Sequence, residues 1–253
     1  MSDLNWLEKI WFSQNQHLFK DKEKEMPVVS NFDELIKVSH EMAVEKGWWP
    51  EGKKRSVTEI FANFHSELSE AWEEYRRGRM FPWHDPVDND NGRSVYTYED
   101  IGNFPAGPKP EGFTVELADF LIRLADWCGS LGVNSLEKRN EDIKPDYKID
   151  PADMVMFLHT TTSNLFEIAG GIDSGDVVIE ELIAIFSSEV TDRVKADLEK
   201  RKQDIVSMSV SRAVHVCLNQ VESFMCNDNL WKVVNLKLFF NQSREFRHGN
   251  LNA

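Results

Sequence analysis

The chain has 253 residues, a formal net charge of −14 and 41% hydrophobic residues, which leaves room for one large or two small domains around an ordinary core. Such acidity argues against a nucleic-acid surface and against anionic membranes, and eight Trp with sixteen Phe are too many for a disordered chain. No apolar run reaches the length of a membrane span and no signal peptide opens the chain. Cys128, Cys217 and Cys226 lie within or beside apolar-periodic runs, so the expectation is a cytoplasmic protein with reduced core thiols.

Residues 3–20 carry Leu4, Trp6, Leu7, Ile10, Trp11, Phe12, Leu18 and Phe19, an amphipathic helix that packs on the main body or on a second subunit. With the charged linker Asp21 to Pro27 it makes an N-terminal segment of residues 1–30. A helix over 31–46 ends at Gly47 and is followed by Trp48-Trp49-Pro50. Ser56 with Glu59 reads as a capping box opening a long helix over 56–78, stopped by Gly78.

Residues 80–112 break the helical pattern with Pro, Gly, Asn and Asp, and a structureless loop of this length is usually functional or mobile. Thr114 caps the next helix, which runs to about Gly129, and a shorter helix near 134–143 is ended by Pro145. Helices follow over 151–171, 174–203, 205–226 and 228 to about 246. No stretch alternates as a half-buried strand would, so the class is all-α.

The 56–78 helix separates into two faces. Phe64, Leu68, Ala71, Trp72 and Tyr75 form an apolar arc, and Glu67, Glu70 and Glu74 fall within about 60° of one another beside it. Glutamates on one helix face are ordinarily a solvated surface. Here they border the apolar stripe, and the 114–129 helix repeats the arrangement: Leu117, Phe120, Leu121, Leu124, Trp127 and Cys128 make its stripe, with Glu116 and Asp119 at the margin. Packing the stripes together brings four carboxylates to one seam, where each pair repels by about 4 kcal/mol at an effective dielectric near 20. An all-oxygen set of this kind calls for a hard divalent cation, Mg²⁺ or Mn²⁺. Zinc is disfavoured, because no Cys/His set with its spacing is nearby.

Three segments then carry a resemblance. Lys46-Gly-Trp-Trp-Pro-Glu, His65-Ser-Glu-Leu-Ser-Glu-Ala-Trp-Glu-Glu-Tyr-Arg and Lys109-Pro-Glu-Gly-Phe-Thr-Val-Glu-Leu-Ala-Asp resemble the MazG-like nucleoside triphosphate pyrophosphohydrolases, whose signature is ExxE followed by ExxD on two packed helices. The closing Lys237-Leu-Phe-Phe-Asn-Gln-Ser-Arg-Glu-Phe-Arg-His-Gly249 resembles that family's C-terminal helix. The resemblance implies a core four-helix bundle, usually in a homo-oligomer. It also implies Mg²⁺-dependent hydrolysis of a small-molecule nucleoside triphosphate to monophosphate and pyrophosphate. It puts the metal ligands at Glu67, Glu70, Glu116 and Asp119. Glu67 or Glu70 would take the proton from the attacking water; Glu67 is preferred, although spacing alone does not separate the two.

The chain departs from a single-domain member of that family. The helix after ExxD is cut off at Lys144-Pro145, and the basic tail appears about a hundred residues later. Sliding the chain by 94 sets His159-Thr-Thr-Thr-Ser-Asn-Leu-Phe-Glu on His65-Ser-Glu-Leu-Ser-Glu-Ala-Trp-Glu. A duplication would therefore make residues 31–150 a metal-bearing repeat and 151–253 a degenerate one, with Thr161, Asn164, Val210 and Ala213 in place of the four carboxylates. The two halves would form one composite site. As a helix, Lys237, Asn241, Arg244 and His248 fall within about 60° of one another, a stripe of donors suited to phosphate oxygens. The family resemblance adds weight to Lys237, Asn241 and Arg244 as nucleotide-binding positions.

Other candidates carry plainer explanations. Trp48 and Trp49 offer indoles for stacking on a base, with Trp49 taken as the nucleotide-binding candidate, although an aromatic pair after a helix is more often a core plug. His65 reads as a satisfied, partly buried histidine, Glu74 as a further ligand or plain surface, and Asp126, on the polar face two turns beyond Asp119, as lying outside the site. Two other classes compete with the hydrolase. A catalytically weak nucleotide sensor of the same fold is disfavoured by four intact carboxylates. A di-iron bundle wants Glu-x-x-His on two helices, and the chain has that spacing once, at Glu245 and His248.

Overall fold

A computed structural model describes residues 28–51, 55–84, 94–95, 109–136, 149–173, 210–225 and 227–244. Among these, helix dominates: α1 (Phe32–Glu45), α2 (Val57–Arg76), α3 (Phe113–Ser130), α4 (Pro151–Asp173), α5 (residues 210–225) and α6 (Asn227–Ser243). The all-α expectation holds. The helices expected over 3–20 and 174–203, Cys226 and His248 lie outside the described residues, as does the 134–143 helix beyond residue 136. No helix among the described residues is long and apolar enough to cross a membrane.

The core is organised around α3. Its stripe residues Leu117, Phe120, Leu121, Leu124, Trp127 and Cys128 are all buried, and so are Val115, Ala118 and Ala125 between them. A helix buried on nearly every side needs partners on several faces. α3 packs against α1, α2 and α6, while α2 also packs against α4. Along the seam between α2 and α3, the Phe61 ring meets Trp127 edge-on at 5.1 Å and Phe64 meets Phe120 at 6.1 Å. Each large apolar side chain taken out of water here contributes about 1.5–3 kcal/mol.

The helix starts differ from expectation in two places. Ser56 stands at the N-cap of α2 without a side-chain bond to the helix, and Glu59 turns back to Arg55 at 3.4 Å, so the capping box does not form. Thr114 lies inside α3, and the cap position is Gly112. The reason is steric. At φ 123° the Gly112 backbone sits where a Cβ would fall 2.4 Å from the Phe81 carbonyl oxygen, an approach that glycine alone permits. α1 is the better capped helix, with the Asn31 side chain accepting from the Glu34 N–H at 2.9 Å.

The 80–112 connection is not structureless. Trp83–His84 pairs antiparallel with Ser94–Val95, and Trp83 also exchanges backbone hydrogen bonds with Glu111 at 2.9 and 2.8 Å. Its two ends are therefore clamped together between the end of α2 and the start of α3. Glu74, read from the sequence as ligand or surface, is neither. It is buried, accepts from the Trp83 indole at 2.7 Å and from Arg79 at 3.0 Å, and so anchors the clamp.

α6 is fastened at its middle and at its C-terminal end to the two flanks of α1. The Asn235 amide bonds both the N–H and the carbonyl of Val29 at 2.8 Å. Lys46, beyond the other end of α1, donates to the Gln242 carbonyl at 2.7 Å and to that of Arg244. A cation on the last carbonyls of a helix also favours the helix dipole. The C-terminal helix is thereby brought onto the face of α3 that carries Glu116 and Asp119.

Candidate metal and nucleotide site

Glu67 and Glu70 come from α2, Glu116 and Asp119 from α3, Lys237 and Asn241 from α6. Carboxylate oxygens of Glu67, Glu70 and Glu116 lie within 4.8 Å of one another. Glu67 and Glu116 are buried and Glu70 is exposed, so the cluster opens to solvent on the Glu70 side. Asp119 sits beside them. Its two oxygens face the Lys237 ammonium at 3.2 Å and the Asn241 amide N–H at 3.3 Å. Lys237 is also 3.8 Å from Glu116 and is 1% exposed, a lysine held inside the carboxylate group.

Arg123 was not anticipated. Its Nε lies 2.6 Å from a Glu67 oxygen. The signal was available in the sequence, since Arg123 stands four residues after Asp119 and seven after Glu116 on the same helical face.

Burial dominates the electrostatics. It pushes the Glu67 carboxyl up to about 7, with the Asp119 charge adding and Arg123 opposing. Burial pushes Glu116 further, to about 9, because Lys237 only partly offsets it and the Asp119 and Glu67 charges add. For Asp119 burial again opposes ionisation, but Lys237 and Arg123 outweigh it and hold the group down at about 2. Protons therefore remain on Glu67 and Glu116 at pH values where ordinary glutamates are ionised. A divalent cation would displace them.

The donor set fits such an ion. It is all oxygen, it comes from two rigid helices, and Glu116 Oε1 is buried without a hydrogen-bond partner. Zinc would want nitrogen or sulfur donors, and the described histidine pair His65 and His159 bond each other at 2.8 Å instead.

Beside the carboxylates lies a cavity of about 400 Å³, a size suited to a small-molecule ligand. Asp119, Arg123 and Asn241 line both the cavity and the cluster. Lys46, Arg55 and Arg244 add three more cations, and Trp48 supplies an indole. Trp48 rather than Trp49 faces this space. The Trp49 N–H is taken by Asp126 at 2.7 Å, which also bonds His40 at 2.8 Å. Asp126 itself lines the cavity, as does Asn63, one turn before Glu67 on α2. The Arg55 guanidinium lies over both indoles, 5.9 Å from Trp48 and 5.3 Å from Trp49.

Of the residues selected from the sequence, Glu67, Glu70, Glu116, Asp119, Lys237 and Asn241 come together in one group and Arg244 lines the adjoining cavity, whereas Trp49 is not among the residues lining it. His65 is half-buried and stacked on His159, as expected of a satisfied core histidine. At the positions the 94-residue shift sets against the carboxylates, Val210 is buried, Asn164 is exposed and the Thr161 hydroxyl bonds the Phe157 carbonyl at 3.0 Å. No protein-family model matches this sequence, and comparison with curated proteins and with solved structures gives no match either.

Proposed function

We propose that this chain is a Mg²⁺-dependent nucleoside triphosphate pyrophosphohydrolase of the MazG-like kind, cutting a ribo- or deoxyribonucleoside triphosphate to the monophosphate and pyrophosphate. The observation that carries the reading is an all-oxygen acidic cluster, with a buried Glu116 oxygen lacking a partner, that meets through Asp119 and Arg123 a cavity lined by four cations and an indole together with Glu59 and Asp126. Anionic phosphates suit Lys46, Arg55, Arg123 and Arg244, a base suits Trp48, and the carboxylates suit Mg²⁺ or Mn²⁺. Reduced, buried Cys128 and Cys217 fit a cytoplasmic location.

When bound, the ion supplies positive charge beside the phosphoryl oxygens and lowers the pKa of a water. The chain's own residues do the rest. Arg123 and Arg244 grip the polyphosphate, with guanidinium geometry that suits two oxygens at once. Glu67 takes the proton of the attacking water. The Arg123 guanidinium, 2.6 Å from Glu67, fixes the orientation of that carboxylate. Lys237 and Asn241 keep Asp119 ionised and oriented.

The composite nature of the site belongs to the same proposal. α2 and α4 begin 94 residues apart, the interval of the duplication proposed from the sequence. His65 and His159, related by that interval, touch. A residue that meets its own counterpart marks a two-fold axis. In this reading the chain is a fused pair of repeats, the first keeping the carboxylates and the second contributing α6.

The test is a pyrophosphate-release assay with Mg²⁺ against a panel of ribo- and deoxyribonucleoside triphosphates. Release from at least one, abolished by chelation, is expected. Binding without release would leave a nucleotide sensor in its place.

A further inference from the structure

Resting on the metal-site reading above, a second property follows from counting charge in the buried group. Glu67, Glu70, Glu116 and Asp119 face Lys237 and Arg123. Lys109, the next cation near Glu116, is already paired with Glu111 at 2.8 Å; of the two arginines Arg123 and Arg244 that line the adjoining cavity, Arg123 is the one paired with a cluster carboxylate, at 2.6 Å from Glu67. With all four carboxylates ionised, the two resident cations leave two negative charges, the complement of one divalent ion.

We propose that Lys237 is a built-in counter-ion that limits the carboxylate cluster to a single divalent cation in the nucleotide-free protein. Three features support this role. Lys237 is 1% exposed, so its ammonium does not answer to solvent. It sits between Asp119 and Glu116, where a second ion bridging the α3 carboxylates would have to lie. And a buried cation so close to a divalent one repels it strongly, because screening is weak there. Lys237 thus acts as a positioning residue: it fixes Asp119 and reserves the Glu67, Glu70 and Glu116 side of the cluster for the ion.

The experiment counts Mn²⁺ bound to the full chain without nucleotide, from the loss of the free-ion paramagnetic resonance signal. Wild type is expected to bind one ion. Lys237→Met is expected to bind two, the first about tenfold tighter or more, since each tenfold needs only ~1.4 kcal/mol. Lys237→Arg, which keeps the charge, should still bind one. Should Lys237→Met lose its helical circular dichroism, Arg123→Gln removes a charge from the same group at a partly exposed position and should tighten Mn²⁺ likewise. Two ions on wild type, or variants with unchanged number and affinity, would overturn the inference while leaving pyrophosphate release as evidence for the site. No ion on any of these proteins would overturn both.

Discussion

His65 and His159 stack with ring centroids 5.1 Å apart and planes 7° from parallel, their Nδ1 atoms separated by 2.8 Å. One Nδ1 must donate and the other accept, so the contact needs at least one neutral ring. Burial lowers the pKa of both histidines, and the His65 charge further disfavours protonation of His159. The pair joins α2, which carries Glu67 and Glu70, to α4, and so couples the acidic helix to the second half of the chain.

Acid should weaken that joint. An unfolded histidine takes up its proton near pH ~6.5; in the folded state both pKa values are lower. Below that pH the unfolded chain holds more protons, so stability falls as pH drops through about 6.5. Between pH 7.5 and pH 5.5 the pair lowers the urea midpoint, while the buried carboxylates act in the opposite sense over the same range, so the histidine effect is read by comparison with a variant that keeps those carboxylates. On acidification the midpoint of wild type should fall relative to that of His65→Asn with His159→Asn, and the same pH response in both proteins would place the acid sensitivity elsewhere.

The carboxylates predict an opposite trend in the metal-free protein, over a window that begins near the unfolded glutamate value and overlaps that of the histidines. Glu67 and Glu116 hold protons when folded up to about 7 and about 9, well above an unfolded glutamate. The folded state therefore binds more protons across that window, and its stability declines as pH rises through it. Mg²⁺ needs the ionised forms, so its binding releases protons and tightens with pH. The increase in melting temperature caused by Mg²⁺ should be larger at pH 8.5 than at pH 6.5, and calorimetry in buffers of different ionisation enthalpy should register the released protons. A Mg²⁺ effect independent of pH would contradict this account.

Glu70→Ala and Asp119→Ala should each lower turnover by about 10²-fold or more, the scale of removing one electrostatic stabiliser. Their stabilities should differ. Glu70 is exposed, and its variant should melt close to wild type. Asp119→Ala leaves Lys237 buried beside fewer partners and should cost about 3–5 kcal/mol, as expected for breaking a buried ion pair. Near-normal pyrophosphate release by both variants would end the assignment of the cluster to catalysis.

Glu74→Ala tests the clamp instead of the chemistry. It leaves the Trp83 indole N–H without its acceptor and should cost about 1–3 kcal/mol in urea unfolding. Because Glu74 faces the clamp between residues 83 and 111 and not the carboxylate cluster, metal affinity should change far less than stability. Loss of Mn²⁺ binding with stability intact would assign Glu74 to the site after all.

Local periodicity was enough to read most of the helices, the apolar stripes of α2 and α3, and the meeting of Glu67, Glu70, Glu116 and Asp119. Each of these depends on residues three or four apart on one helix, a spacing that the backbone geometry alone converts into a face. Helix ends were read less well where a cap depended on a distant atom. Thr114 looked like a cap, but the Phe81 carbonyl left space only for Gly112. The roles of Lys237, Glu74 and Trp48 were decided by the tertiary structure. Whether a lysine faces solvent or carboxylates, and whether a glutamate binds a metal or an indole, depends on which helix packs on which and how each is rotated. Those choices are made by burial across the whole chain, between residues as far apart as Asp119 and Asn241, and no stretch of sequence contains them.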